Sequence, residues 1–544
     1  MSRVNNRKNH LVPRVASKAT NGDQNHTSGS KDGQPTLGKF DRRDMLIGLG
    51  GLWGATNVFS DPAGLAEPVK PDVEHCGDDK NPDNKECCPP SSTKIIDFVL
   101  PSSKEPLRLR PAAHLVSHDH IRKYCKATQL MKALPPDDPR NFIQQANVHC
   151  AYCDGAYPQF GHSEIKYKVH NSWLFFPFHR YYLYFYERIL GKLICDPTFA
   201  LPFWNWDSPH GMTIPDMYTH QLSSLYDPNR NIIHQPPVPV DLDYTLNDDV
   251  PKPDQVQKNL ATMYRQMVSC SKTPSLFFGS PYRAGDDNST AGTIENTPHN
   301  NIHDWCGDPC EPKNEDMGIF NRAGRDPIFF AHHSNVDRMW NIRKNVEKRP
   351  DITDPDWLDA VFFFYDENKD LVRVKVNDCL DTTNLRYDYE KVPIPWLESK
   401  ATPRKSKLEK LPPVAQAREP SFVLQQVSYT SVRRPKNKEK EQEEVLEIDG
   451  IQFLDEHLKF DVYINEDDPL KSGPDKTEFA GSFVRIPHKH SHGEVNASLK
   501  IGISELLEDL GAKEDESVWV TLYRRYGNST VKINGIKIKL ESYT

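Results

Sequence analysis

Apolar residues recur at two different periods along this chain, and the change of period divides it. Between about 146 and 345 the period is helical. The run FHRYYLYFYERILGK (178–192) is almost wholly apolar or aromatic, which predicts a helix buried on every side, opened by Pro177. Asp326-Pro327 is a start signal for a second helix over IFFAHHSNVDRMWNI, and Thr297-Pro298 for a third. An amphipathic helix is predicted near 113–134. After residue 420 the period becomes two. SFVLQQVSYTSV, KFDVYIN, AGSFVRIP, SVWVTLYRR and VKINGIKIKL alternate apolar with polar positions, as antiparallel strands of a β-sandwich do. The charged run at 436–444 reads as a solvated hairpin tip or loop. The fold class is therefore a mainly α, loop-rich core of the four-helix-bundle type, followed by a C-terminal antiparallel β-sandwich.

The boundaries follow from composition. Residues 1–40 are basic and rich in Ser, Thr and Asn, as a transit segment is. Arg42-Arg43-Asp44 then precedes a short apolar run, 45–60. That run is too short and Gly-rich to span a bilayer well, so a twin-arginine thylakoid-transfer signal is favoured over an anchor helix. Gly64-Leu65-Ala66 offers a cleavage site. The domains are thus 1–66 for targeting to the plastid and thylakoid lumen, 67–396 for the core, 397–420 for a linker, and 421–544 for the sandwich. The linker is basic and Pro/Ala-rich without an apolar period, which marks a site for proteolysis.

At 544 residues the chain needs more than one domain, and a formal charge of -8 gives no reason to expect nucleic-acid binding. The 44 prolines predict much irregular, stiff loop. The cluster Cys76, Cys87 and Cys88 suits a zinc knuckle or disulfides. No His/Cys set completes a zinc site nearby, so disulfides and an oxidising compartment are favoured. Cys306 and Cys310 frame a short C-G-D-P-C loop. A small disulfide is favoured there over a copper-transfer site. Cys125, Cys195, Cys270 and Cys379 read as free and buried.

The strongest chemical signal is histidine. His149, His170 and His179 form one triplet, and His299, His303 and His333 a second. A lone histidine on an apolar helix is more often structural; six at these positions are harder to explain that way. Imidazole suits copper, zinc and iron, and three imidazoles without a carboxylate disfavour the usual non-haem iron site. Two triplets point to two copper ions with open positions for dioxygen. His299 and His303 stand i,i+4 on one helix face. His332 and His333 point about 100° apart, so one of them faces the metal. His333, four residues before Asp337, is the ligand expected, with His332 in a packing or supporting place.

These motifs, VHCAYC, KVHNSW, FPFHRYY, TPHNNIHDW and FFAHHSNVDRMW, resemble those of the plant polyphenol oxidases of the tyrosinase and catechol oxidase family. The likeness covers about 67–544, including DWL (356–358), KFDV (459–462) and the pair Tyr387 and Tyr389 with Arg110. It implies a dinuclear copper centre on the two triplets, a thioether joining Cys153 to His170, and disulfides Cys76–Cys88 and Cys87–Cys150. It also implies that Glu295 holds a basic water, that Asn300 helps orient it, and that Phe320 overhangs the second copper; without the likeness, Phe320 could equally be core packing.

The resemblance implies oxidation of o-diphenols to o-quinones with dioxygen reduced to water, by a latent proenzyme. Its partners are dioxygen and small phenols, without nucleic acid and without stable membrane insertion. An aurone synthase, or a tyrosinase with marked monophenol hydroxylation, differs only in substrate access. An oxygen carrier of haemocyanin type fits poorly with a plastid signal and a cleavable C-terminal domain. A copper-storage protein would need neither open positions nor Glu295. Asp304, beside His303, is expected to be exposed at the entrance and to repel phenolates modestly.

Overall fold

The helices around the histidines are α1 (His118–Lys132), α2 (Phe142–Cys153), α3 (Phe175–Leu193), α4 (Asn300–Cys306) and α5 (Ile328–Asn345). This computed structural model describes residues 67–77, 82–287, 289–404, 421–488 and 493–543. The targeting segment 1–66 and residues 405–420 of the linker lie outside them. Among the described residues no helix is long and apolar enough to cross a membrane.

Local chemistry sets the helix ends. The first helix starts later than the periodicity predicts, because the Ser117 side chain accepts the His120 N–H and fixes the N-cap there. Pro177 does not open α3, which begins at Phe175. The proline stands in the first turn, where a missing N–H costs nothing. Asp326 does act as a start signal, its carboxylate accepting the Ile328 N–H at 2.9 Å. Thr297 is extended (φ -149°, ψ 122°) and separates the helical turn Glu295–His299 into two phases before α4.

A buried polar network aligns α3 with α5. Asp337 accepts from Arg180 Nε (2.6 Å) and from the hydroxyls of Tyr387 and Tyr389 (2.6 Å each). Arg110 lies against both tyrosines and pairs with Glu187 at 2.9 Å. Arg180 follows His179, and Asp337 stands one turn beyond His333, so this network fixes the phase of two helices that each bring one histidine. The cations hold the Asp337 carboxyl below its usual range despite its burial.

Disulfides Cys76–Cys88 and Cys87–Cys150 fasten the N-terminal segment to α2. All three clustered cysteines are thereby used, which leaves no thiolate there for zinc. Cys306 and Cys310 are not joined. Cys306 points into the core at the end of α4, while Cys310 is exposed, so the expected small disulfide loop is corrected to two free thiols. Cys195 is exposed and Cys125 half-buried, against the expectation of burial; Cys270 and Cys379 are buried.

The C-terminal domain comprises β1 (Phe422–Val423), β2 (Val427–Arg433), β3 (Gln442–Leu454), β4 (Leu458–Ile464), β5 (Phe479–Arg485), β6 (Glu494–Gly502), β7 (Ser517–Tyr526), β8 (Lys532–Ile533) and β9 (Gly535–Ser542). One sheet runs β6-β3-β8-β1, with β9 also on β3; the other runs β5-β4-β7-β2, all antiparallel. The KFDV strand shows why the alternation matters. Leu458, Phe460, Val462 and Ile464 fill the sandwich core. Lys459 and Asp461, on the opposite face, are not solvated. Both are fully buried, and Lys459 reaches Asp243 of the helical core at 2.8 Å. The period-two pattern placed a polar face correctly, but that face meets the catalytic core rather than water. The charged run 436–444 likewise divides: Glu443 and Glu444 enter β3 and are buried, Glu444 against Arg434.

Candidate metal centre

Four helical segments and one loop bring the histidines together. His149 comes from the C-terminal half of α2, His170 from the loop before α3, His179 from α3, His299 from the turn into α4, His303 from α4 itself, and His332 and His333 from α5. Two groups result. Ligand atoms of His149, Cys153, His170 and His179 lie within 4.8 Å of one another, as do those of His299, His303, His332 and His333. The groups adjoin, since the His179 and His333 rings stack at 4.1 Å.

The ring nitrogens are divided in the way a metal requires. His149 Nδ1 bonds the Phe320 carbonyl at 3.0 Å, His179 Nδ1 that of Phe175 at 2.8 Å, and His303 Nδ1 that of Met317 at 2.8 Å. His299 Nδ1 shares the Glu295 carbonyl and Asn300 Oδ1. Donation through Nδ1 selects the tautomer whose Nε2 carries a free lone pair. The Nε2 atoms of His149, His170, His179 and His299 are buried without a hydrogen-bond partner. His303 Nε2 and His333 Nε2 face each other at 3.3 Å. Two imidazole lone pairs so directed, at twice a metal–nitrogen bond less the bend between them, fit a shared cation. Burial pushes the imidazoles down, His179 to about 3 and His303 to about 4, which keeps them neutral and able to ligate.

The walls are aromatic. Phe329 lies 4.1 Å from His333 and 4.7 Å from His149, and Phe175 lies 4.8 Å from His299. Phe320 stacks on His170 at 4.2 Å. Glu295 is buried, accepts the Asn171 N–H through Oε1 at 2.5 Å, and leaves Oε2 without a protein partner. Burial raises its carboxyl to about 8.

The β-sandwich closes over this centre. Asn296 donates to Ser482 O (2.6 Å) and accepts from Val484 N (3.1 Å), while Asn300 Nδ2 donates to Val484 O (3.1 Å). Two core amides thus pair with the outer edge of β5. Just beyond, Ile486 is buried within the hydrophobic cluster of the helical core, not that of its own domain. The His488 ring stands 5.3 Å from Phe320. Asp304 is corrected from an exposed charge to a buried one, held by Asn314 Nδ2 (2.7 Å) and by the Tyr526 hydroxyl (3.0 Å). Sequence reasoning missed Asn296, Ile486 and His488; His332 lies beside the second triplet, its ring stacked on His299 at 5.3 Å. Nothing in a one-chain pattern tells that an apolar residue after an alternating strand packs into another domain.

Residues 139–346 match the common central domain of tyrosinase, 351–402 the polyphenol oxidase middle domain, and 420–540 the chloroplastic polyphenol oxidase C-terminal domain. A chloroplastic polyphenol oxidase of Malus domestica is 54% identical over 98% of this chain and 94% of its own length. The chain belongs to the plant polyphenol oxidase family. The latent apple tyrosinase structure superposes with a TM-score of 0.79 at 56% identity, covering 82% of this chain and all of that one. A latent aurone synthase gives 0.81 at 41% identity over 88% of this chain and 100% of that one. This polyphenol oxidase is an oxidoreductase with a dicopper-type site for phenolic substrates, made in a latent form. The middle-domain match runs past the boundary expected at 396, and the structure gives a reason. Trp396 is fully buried, its indole donating to Asp207 at 2.8 Å, and beyond it Thr402 pairs with Lys476.

Proposed function

We propose that this enzyme is chiefly a catechol oxidase whose sandwich domain plugs the copper site. His149, His170 and His179 hold one ion, and His299, His303 and His333 the other. When bound, the copper pair supplies the electron transfer that couples oxidation of two catechols to reduction of one dioxygen to water. The observation that carries the assignment is the set of buried Nε2 atoms without a protein partner, walled by aromatic rings. Phe320 offers its ring to the substrate. Glu295, whose Oε2 lacks a protein partner, and Asn300 would hold a proton-accepting water; in the closed form Asn300 Nδ2 donates to Val484 O. Departure of β5 would return that hydrogen-bond donor of Asn300 to the site.

Glu295→Gln is expected to keep both coppers while lowering catechol turnover by about a hundredfold, the scale of one general base. Unchanged turnover at equal copper content would refute the role.

Cys153 lies in the first histidine group, and burial keeps its thiol protonated. A thioether to His170 would fix the one ligand whose two ring nitrogens both lack a partner. Peptide mass spectrometry is expected to show the 153 and 170 peptides joined and two hydrogens lighter. Recovery of both as separate peptides after reduction excludes the link.

The substrate class is tested by turnover of 4-methylcatechol, tyramine and a chalcone on the opened enzyme. Catechol is expected to exceed tyramine at least about tenfold. The aurone synthase among the similar structures makes the chalcone the informative rival, and preference for it over catechol would reverse the assignment. The chloroplastic relative supports a plastid location. The twin arginines at 42–43, ahead of an apolar run, support the thylakoid lumen within it, and import into isolated plastids followed by fractionation tests that placement.

A further inference from the structure

The chain does not leave the helical core at Trp396 into solvent. It crosses to the sandwich domain and is held there. Thr402 pairs with Lys476 in an isolated parallel β-bridge, with Thr402 N donating to Asp475 O (3.2 Å) and Thr477 N to Thr402 O (3.1 Å). Lys400 pairs with Glu505 (3.2 Å) and Asp509 (2.9 Å) on the helix Ser504–Asp509. The Arg404 backbone N–H donates to the Glu478 carboxylate (2.9 Å), and its guanidinium pairs with Glu466 and with Asp467 (3.2 Å). From the other side Arg265, a buried core residue, donates to Pro474 O (2.9 Å) and Lys476 O (3.1 Å). The sandwich loop at 474–478 is therefore gripped between Arg265 and the strap that follows Trp396.

We infer that Lys400–Arg404 is a clasp: a basic segment, covalently part of the core, seated against carboxylates of the sandwich. The fit is chemical. Two cations and one strand bridge meet carboxylates from three separate elements, and backbone pairing sets the register between them. This inference rests on the latency proposed above and adds its control. A cut after Arg404 severs the covalent tether yet leaves the clasp on the core side, so the domain stays seated. A cut before Lys400, or loss of the clasp charges, is needed for release. In the uncut chain the tether keeps the domain at high effective concentration, which makes the clasp dispensable there.

The test uses the full-length copper-loaded enzyme with a site-specific protease sequence placed within 405–420, as wild type and as K400E/R404E. Before cutting, both are expected to be latent. After cutting, the wild type should elute as one species with turnover within about twofold of the uncut enzyme. The cut variant should separate into two fragments and gain at least about tenfold. Separation of the cut wild type as readily as the cut variant, or a cut variant that stays whole and closed, overturns the clasp. If charge reversal impairs folding, judged by copper content, K400Q/R404Q is read by the same two outcomes. Turnover of the uncut wild type equal to that of the isolated core would instead overturn latency itself, while elution still reports on the clasp.

Discussion

Replacing His333 by alanine is expected to lower copper from two ions per chain to about one and to reduce catechol turnover by about a thousandfold or more, since a metal ion contributes several kcal/mol to such a transition state and each 1.36 kcal/mol is about tenfold. His332 and His333 both belong to the second histidine group. Only His333 opposes another ligand Nε2, at 3.3 Å from that of His303. His332 stacks on His299 at 5.3 Å, nearly parallel, and braces that ring. His332→Ala should therefore keep both coppers and cost stability through the cavity, about 1–3 kcal/mol. Metal analysis of the two variants decides the matter. One copper in His332→Ala with two in His333→Ala would reverse the assignment.

Ending the chain at Ser399, which removes clasp and sandwich but keeps the Trp396–Asp207 bond, is expected to raise kcat/KM for catechol by at least about ten- to hundredfold. Burial of one Ile side chain stabilises a closed form by about 1.5–3 kcal/mol, and about 1.4 kcal/mol is a factor of ten. Ile486 alone sets that floor, because it packs in the hydrophobic cluster of the catalytic core. The polar contacts add to it: Lys459 with Asp243, and Asn296 and Asn300 with β5. Ile486→Ala in the full chain should recover part of the gain with copper unchanged. Equal kcat/KM for full-length and shortened enzymes at equal copper content would eliminate the plug.

The parts of the molecule legible in the sequence were those governed by short-range repetition. Alternation gave the sandwich, and the spacing of His299 with His303 gave a helix face. The parts not legible depend on what each face meets. Asp304 reads as an exposed charge because a sequence pattern separates polar from apolar faces but does not say whether the polar face meets water or another domain; Lys459, on the polar face of its strand, meets Asp243 in the same way. Cys306 and Cys310 are close in sequence, yet α4 turns one thiol inward while the loop carries the other out. Pro177 signals the start of a helix only to within a turn, since any position lacking an intrahelical acceptor tolerates it.

The pairing of Asn296 and Asn300 with β5 has a consequence for reversibility. The strand lies at the edge of its sheet, with β4 as its neighbour on one side only. In the latent enzyme two side-chain amides satisfy the other side. Once the domain departs, that edge presents bare N–H and C=O groups next to the newly uncovered Ile486, the kind of strand that templates self-association. Released domains are therefore expected to pair with one another or to be degraded rather than to return, and opening then acts as a ratchet: the oxidase, once unmasked, stays unmasked for the life of the core.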